Sequence, residues 1–344
     1  MKNCIACMFL IFNLFSSFKN CGTTVFPLSR LLPDPRLNAL QTASVAEANY
    51  PFTFLINPGS HLAGKQKHFS ITYLKWITDI QMLAGNFLLP KDIFNFGFSF
   101  KYFNSGDIIL RENLTDSGRE THKSAFNLSS SSSMKVKRVS FGLQLKYHMD
   151  FFSGDLRSLV AISTGFLYRL NKTISFGTSV KNIGLGRRAP LAVDAGAGFT
   201  LGKFPYKFNL FLSTQYNLAQ AFKIKTAIEY LHEDFINLIL GYTQNFDSRG
   251  RPTVSQNFSV GFGIGWKKFQ LQLAILPFYN KLTASIQVSL GTRRLSVAGE
   301  KLRRQKKKER EKAEKQDENE QQIKRRTPAP DTERRGGPGG VKRR

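Results

Sequence analysis

A chain of 344 residues is long enough for one large closed sheet or for two ordinary domains. Its formal charge of +26 and mean hydropathy of −0.25 accompany 31 phenylalanines, so apolar mass is parcelled out along the chain rather than pooled. No uncharged apolar run of about 18 residues follows residue 25, and Cys4 and Cys7 lie in the N-terminal stretch, which excludes a later membrane helix, a disulfide framework and a cysteine metal site.

The first segment pairs a basic start at Lys2 with the apolar stretch CIACMFLIFNLFSSF, residues 4–18. It reads as a secretory signal peptide over 1–25, too short to span a bilayer. Cys21, in FKNC, matches a lipoprotein box poorly. Residues 26–67 are not strand-like: Pro33, Pro35, Pro51 and Pro58 punctuate them, and 37–50 is expected to form a short amphipathic helix. INPGSHLAG, 56–64, then leads into the first good strand, HFSITYLKW.

From there the chain alternates. Phe94, Phe96, Phe98, Phe100 and Tyr102 interleave with Asn95, Gly97, Ser99 and Lys101, and period two sends the two sets to opposite strand faces. The pattern returns at 139–148, 258–267 and 282–290, and again over 207–217 and 221–231. It is looser at 158–170, 173–182 and 235–244. A soluble sheet also has one wet face, but its strands average roughly five or six residues. These run to about ten, the length of a tilted bilayer-crossing strand, and their wet face carries Gly, Ser, Gln and Lys as a hydrated lumen does. The expected fold is an all-β, transmembrane antiparallel β-barrel. Strands are expected to begin near 68, 78, 92, 106, 136, 158, 173, 191, 206, 221, 235, 256, 268 and 281, about fourteen in all. Tight turns are expected at 76–79 and 266–268, and long polar loops at 112–135 and 248–252.

After Arg293 the alternation stops. Residues 296–344 hold 17 Lys and Arg against 9 Asp and Glu, first in a helix-forming run and then in a Pro/Gly-rich one. A charged, helical-to-disordered tail over 292–344 is expected. Basic tails bind nucleic acid in other settings, but a secreted chain meets little of it, so no nucleic-acid partner is expected. Contact with a periplasmic or cell-wall polyanion, or with lipid, suits the charge better.

Several stretches carry a family resemblance. Asn57, Pro58, Leu62, Ala63, Trp76 and Asp79 resemble the Asn-Pro-Ala…aromatic…Asp passage of FadL and PorV-like outer-membrane barrels, including their spirochaetal branch, with Gly59 in place of the family's Ala. SVKNIG (179–184), APLAVDAGAGFTL (189–201), AIEY (227–230), LILGYTQN (238–245) and SVGFGIGWKKFQLQLAILPF (259–278) are similar to later family strands in the same order. The resemblance implies a wall over 68–291 and an N-terminal plug over 26–67, with Asn57 and Pro58 as its motif. It also implies passive uptake of hydrophobic solutes such as long-chain fatty acids across the outer membrane. The PorV side implies instead a protein-binding barrel that serves secretion or surface assembly.

Chemistry is sparse. The five histidines fall in no metal-ligating spacing and no G-x-S-x-G is present, so neither cofactor nor metal nor enzyme activity is expected. Asp79, Lys181, Asp194 and Glu229 fall on the predicted polar face and are the candidate lumen-facing groups. Outer-membrane lipid and a fatty-acid-like ligand are the expected partners.

Overall fold

The computed structural model describes residues 32–292, apart from 62–65, 76–79, 92, 111–118, 153–154, 185–190, 203–204, 218–219, 234, 248–249, 267–268 and 279–282. Expectations for the leader, the tail, Trp76 and Asp79 lie outside the described residues.

The strands are β1 (His68–Lys75), β2 (Gln81–Pro90), β3 (Phe94–Leu110), β4 (Arg119–Val136), β5 (Val139–Phe152), β6 (Asp155–Arg169) and β7 (Ile174–Gly184). They continue with β8 (Ala192–Leu201), β9 (Tyr206–Asn217), β10 (Gln220–His232), β11 (Ile236–Phe246), β12 (Pro252–Trp266), β13 (Phe269–Phe278) and β14 (Thr283–Thr292). Each pairs antiparallel with its sequence neighbours, and β14 pairs with β1 from Ser70↔Gly291 to Lys75↔Ile286, closing a fourteen-stranded barrel. Closure leaves no unpaired strand edge, which is the condition for a sheet in hydrocarbon.

Side-chain polarity is inverted relative to a soluble protein. Phe98 is 49% exposed, Leu143 56% and Trp266 66%, while Ser99, Gln144 and Ser259 on the alternate positions are buried. A contiguous apolar exterior around a polar interior is a lipid-facing belt, and a closed β-barrel of this kind is a multi-pass outer-membrane protein. On β1–β5 an outer depression of about 550 Å³ opens where Gly85 and Ser130 interrupt the large side chains.

The two ends differ. At the end holding the start of β1, connections such as 91–93, 137–138 and 170–173 are short. At the other end 111–118 and 185–191 are longer. The short-turn end is the periplasmic one by the usual rule of outer-membrane barrels.

Two predicted loops are corrected. The polar stretch 112–135 lies largely in β4, and the strand expected near 106 is the continuation of β3. Serine occupies both faces there: Ser129, Ser131 and Ser133 point inward and Ser130 and Ser132 outward, so hydropathy loses its period although the ladder to β5 continues unbroken. The expected long loop at 248–252 is a short connection, tied by Asp247 and Arg251, whose backbone N–H groups and carbonyl and carboxylate oxygens bond across it.

Residues 32–61 run through the barrel interior. The helix expected over 37–50 is only α1, Pro35–Ala39, capped by the Asp34 carboxylate accepting from Leu37 N–H at 2.8 Å. Gln41 and Thr42 take left-handed backbone angles, and Thr42 N–H closes on the Leu37 carbonyl at 2.9 Å. That reversal ends the helix and turns both side chains to the wall, where Lys225 donates to Thr42 Oγ1 and Thr243 to Gln41 Oε1. Tight turns follow at Ser44–Ala46 and Pro51–Leu55, and Leu37, Val45, Phe52, Phe54 and Ile56 pack with Leu88 of β2 into a small core.

Candidate functional site

The inner segment occupies the short-turn half of the lumen. Asn57 donates through Nδ2 to the carbonyls of Val45 (2.7 Å) and Phe166 (3.1 Å), and its Oδ1 accepts from Gly59 N–H at 2.8 Å. Pro58 and Gly59 lie directly against the wall at Gly142 and Gly165. A Cβ on Gly142 would stand 1.9 Å from the Pro58 carbonyl oxygen, and one on Gly165 would stand 2.0 Å from Asn57 Oδ1. Only glycine permits this approach.

The strongest tie is ionic. Arg36 donates from Nε and Nη2 to both carboxylate oxygens of Glu229 on β10, at 2.6 and 2.5 Å, and to both of Glu47 at 2.8 Å. Asn209 and Asn237 each donate to Glu229 at 2.8 Å, and the guanidinium sits 4.2 Å over the Tyr50 ring. Paired carboxylates hold the Arg36 guanidinium well above its usual range against the pull of burial. Tyr50 donates to Asp34, whose carboxyl burial pushes up from 3.8 to about 6. Beside this network a polar cleft of about 180 Å³ remains, lined by Glu47, Asn49, Arg169, Thr173, Thr200 and Asn209.

The other half of the lumen has a different chemistry. Lys181 bonds Asp194 at 2.7 Å and Lys225 lies 3.6 Å from the same carboxylate. Lys146 donates to Asn182 at 3.1 Å and feels the charges of Lys101 and Lys181. Lys123 approaches Asp150 at 3.7 Å, and Asn127 bonds His148. Next to Lys101 and Lys123 an apolar cluster faces inward: Leu74, Met82, Phe103 and Ala125, with Ile80 against it.

Of the residues singled out from sequence, Lys181 and Asp194 are therefore partners, and Glu229 belongs to the other half, under Arg36. Lys101, Lys146, Lys225, Arg36 and Glu47 were not singled out. One signal was available for two of the lysines: Gly97-x-Ser99-x-Lys101, Gly142-x-Gln144-x-Lys146 and Gly177-x-Ser179-x-Lys181 repeat a five-residue pattern on β3, β5 and β7. All three strands run in the same direction. Each glycine faces the inner segment, at Phe54, Pro58 and Val45 respectively. Four residues at about 3.3 Å each then carry the three lysines roughly 13 Å along the strands to one level beyond it.

The fold is similar to that of solved barrels. One is described as "CymD monoaromatic hydrocarbon channel", with TM-score 0.53 and 10% identity over 75% of this chain and 95% of that one. Another is the Pseudomonas putida toluene transporter TodX, with TM-score 0.52 and 9% identity over 72% and 93%. This chain shares their fold. At such identity the likeness carries the architecture and no residue assignments. No family model and no curated protein matches the sequence.

Proposed function

We propose that this barrel is an outer-membrane channel for passive uptake of hydrophobic solutes such as long-chain fatty acids. The observation that carries the reading is the inward apolar cluster of Leu74, Met82, Phe103 and Ala125 on the long-loop side of the inner segment. Most other inward wall positions are polar or glycine, so a cluster of this kind offers an apolar solute a place to leave water. The hydrocarbon-channel and toluene-transporter descriptions of the two similar structures support it at the level of solute class, as does the resemblance to FadL.

In this reading residues 26–67 act as the plug, with Asn57 and Pro58 holding its end in the wall, and the charged tail beyond 292 is accessory to the barrel. The polar cleft beside Arg169 is the place where a displaced plug opens a path to the periplasm. Deleting residues 26–60 should leave a folded barrel with raised conductance in planar bilayers. Native mass spectrometry of the full chain should find co-bound fatty acid, and addition of dodecanol should quench the fluorescence of a probe attached at Phe103→Cys. Unchanged conductance removes the plug; a barrel that binds neither lipid nor dodecanol, and co-purifies instead with a stoichiometric protein, is a protein-binding scaffold.

A further inference from the structure

Two features of the barrel exterior meet on the same strands, β1–β5. The first is the depression of about 550 Å³, with Gly85 and Ser130 at its floor and Phe87, Phe98, Leu128 and Leu145 in its walls. The second is charge at the short-turn edge. In sequence, the stretches 62–67, 91–93 and 135–138 hold Lys65, Lys67, Lys91, Lys135, Lys137 and Arg138 against Asp92 alone. Lys67, Lys91, Lys137 and Arg138 are exposed, and none of the four forms an ion pair among the described residues. Lys91 reaches along the outer face, where its Nζ stands 5.9 Å from the centre of the Phe96 ring, so its stem lies on the belt and its head at the interface. Lys137 has a φ of 54° in the two-residue hairpin between β4 and β5, so this turn carries a cation where its backbone favours glycine. Between the cations Ile93 and Val136 are 56% and 50% exposed, and charge alternates with apolar surface as at a head-group layer.

We propose that this outer face binds an anionic phospholipid of the leaflet on the short-turn side, with its phosphate between Lys91, Lys137 and Arg138 and an acyl chain in the depression. The two turns that carry these cations are joined, since Lys135 N–H donates to the Ile93 carbonyl at 3.0 Å. Lys67 flanks them and adds to the field that attracts an anion. Phe87 lies four residues from Lys91 along β2, roughly 13 Å at about 3.3 Å each, within the about 15 Å of half a hydrocarbon core. Head and tail of one lipid therefore reach both features. The depression opens to hydrocarbon, so an acyl chain is the occupant at hand, and the cations select the head group. A second copy of the chain fits less well: a two-fold contact about the membrane normal would set each cationic cluster against its own copy at the same level. This lipid site lies outside the wall and stands whether or not the lumen conducts a solute.

The experiment titrates the full chain, in a neutral detergent, with phosphatidylglycerol, with phosphatidylcholine of the same acyl chains and with glycerol phosphate, read by native mass spectrometry. Phosphatidylglycerol should bind about tenfold more tightly than phosphatidylcholine. Added salt should narrow that ratio. The ratio should fall to about one when Lys91→Gln, Lys137→Gln and Arg138→Gln are combined, and stay unchanged when Lys172→Gln and Lys207→Gln are combined at another part of the same edge. Ser130→Leu, which fills the depression with an apolar side chain, should weaken both lipids about threefold and keep their ratio. Heat-modifiable migration on gels reports that each variant is folded. Equal binding of the two lipids overturns the proposal, as does an unchanged ratio in the triple variant or unchanged lipid binding in Ser130→Leu. Glycerol phosphate binding as tightly as phosphatidylglycerol, or a dimer of the chain that excludes lipid, overturns it as well.

Discussion

The two halves of the lumen are built from the same wall strands yet solve opposite problems. On the short-turn side the wall presents Gly97, Gly142, Gly165 and Gly177, so that another piece of chain can lie against it, and the buried ions Arg36, Glu47 and Glu229 are multiply bonded to one another. On the long-loop side the same strands present Lys101, Lys146 and Lys181. In the filled half one guanidinium serves two carboxylates by direct bonds. In the open half the sharing is reversed, with Lys181 and Lys225 both set against Asp194.

The comparison breaks most visibly at Arg36. Arg36→Met strands Glu47 and Glu229 in a buried site, and losing one partner of such a pair costs about 3–5 kcal/mol. The inner segment should lose its seat and bilayer conductance should rise as in the 26–60 deletion; Arg36→Met combined with Glu47→Met and Glu229→Met should restore the closed state. Wild-type conductance in the single variant would show that the ionic tie does not hold the segment.

Acidity is the next lever. The Asp34 carboxyl titrates near 6 when folded and near 3.8 when free, so the native form holds the extra proton between these values. Its contribution is fully present below about pH 4 and is lost as pH rises through 6, by up to about 3 kcal/mol for a two-unit difference. Closed-state occupancy should fall over that interval, and Asp34→Asn should flatten the profile. A wild-type profile without slope between pH 4 and 6 would mean that Asp34 is not a protonated buried acid.

Smaller effects sharpen the contrast within the wall. Gly142→Ala drives a methyl into the Pro58 carbonyl and should cost about 1–3 kcal/mol of seating, whereas Gly263→Ala, whose nearest neighbour is the flexible Gln270 amide at 3.2 Å, should be close to neutral in the same conductance assay. Smallest of all is Lys225→Met. It removes one bond to Thr42 but also relieves repulsion with Lys181, and Asp194 keeps its 2.7 Å partner. Its change in urea-unfolding stability should stay below about 1 kcal/mol. A loss comparable to that of Arg36→Met would place Lys225 among the structural ions.

The wall was legible because lipid and water sort side chains residue by residue: Phe94 to Tyr102 announce their strand without any knowledge of the neighbours. β4 was hidden by Ser129–Ser133, which satisfy the ladder but give hydropathy nothing to alternate. Prolines 33, 35, 51 and 58 announced that 26–67 is no strand, but not where its side chains go. Arg36 meets Glu229 across 193 residues of sequence, a pairing that exists only after the sheet has closed. The depth of Lys101, Lys146 and Lys181 likewise follows from register and strand direction, which no single strand contains.

Chain order imposes a sequence of events on assembly. The inner segment is synthesised before β1, yet α1 docks on β11, β12, β13 and β14, the last strands to be made. Its seat is therefore unfinished until the far end of the wall exists, and the β1–β14 seam is the step that encloses it. A barrel that zipped shut with residues 32–61 outside would have to admit them lengthwise through a mouth, past strands already bonded on both sides. The segment is thus a cargo that must be aboard before the seam closes. Sequence separation of this size makes that rendezvous slow, with two open edges exposed while it is awaited. Variants that weaken the grip of α1 on the late strands should accordingly lower the yield of correctly filled barrels even where the finished protein is stable.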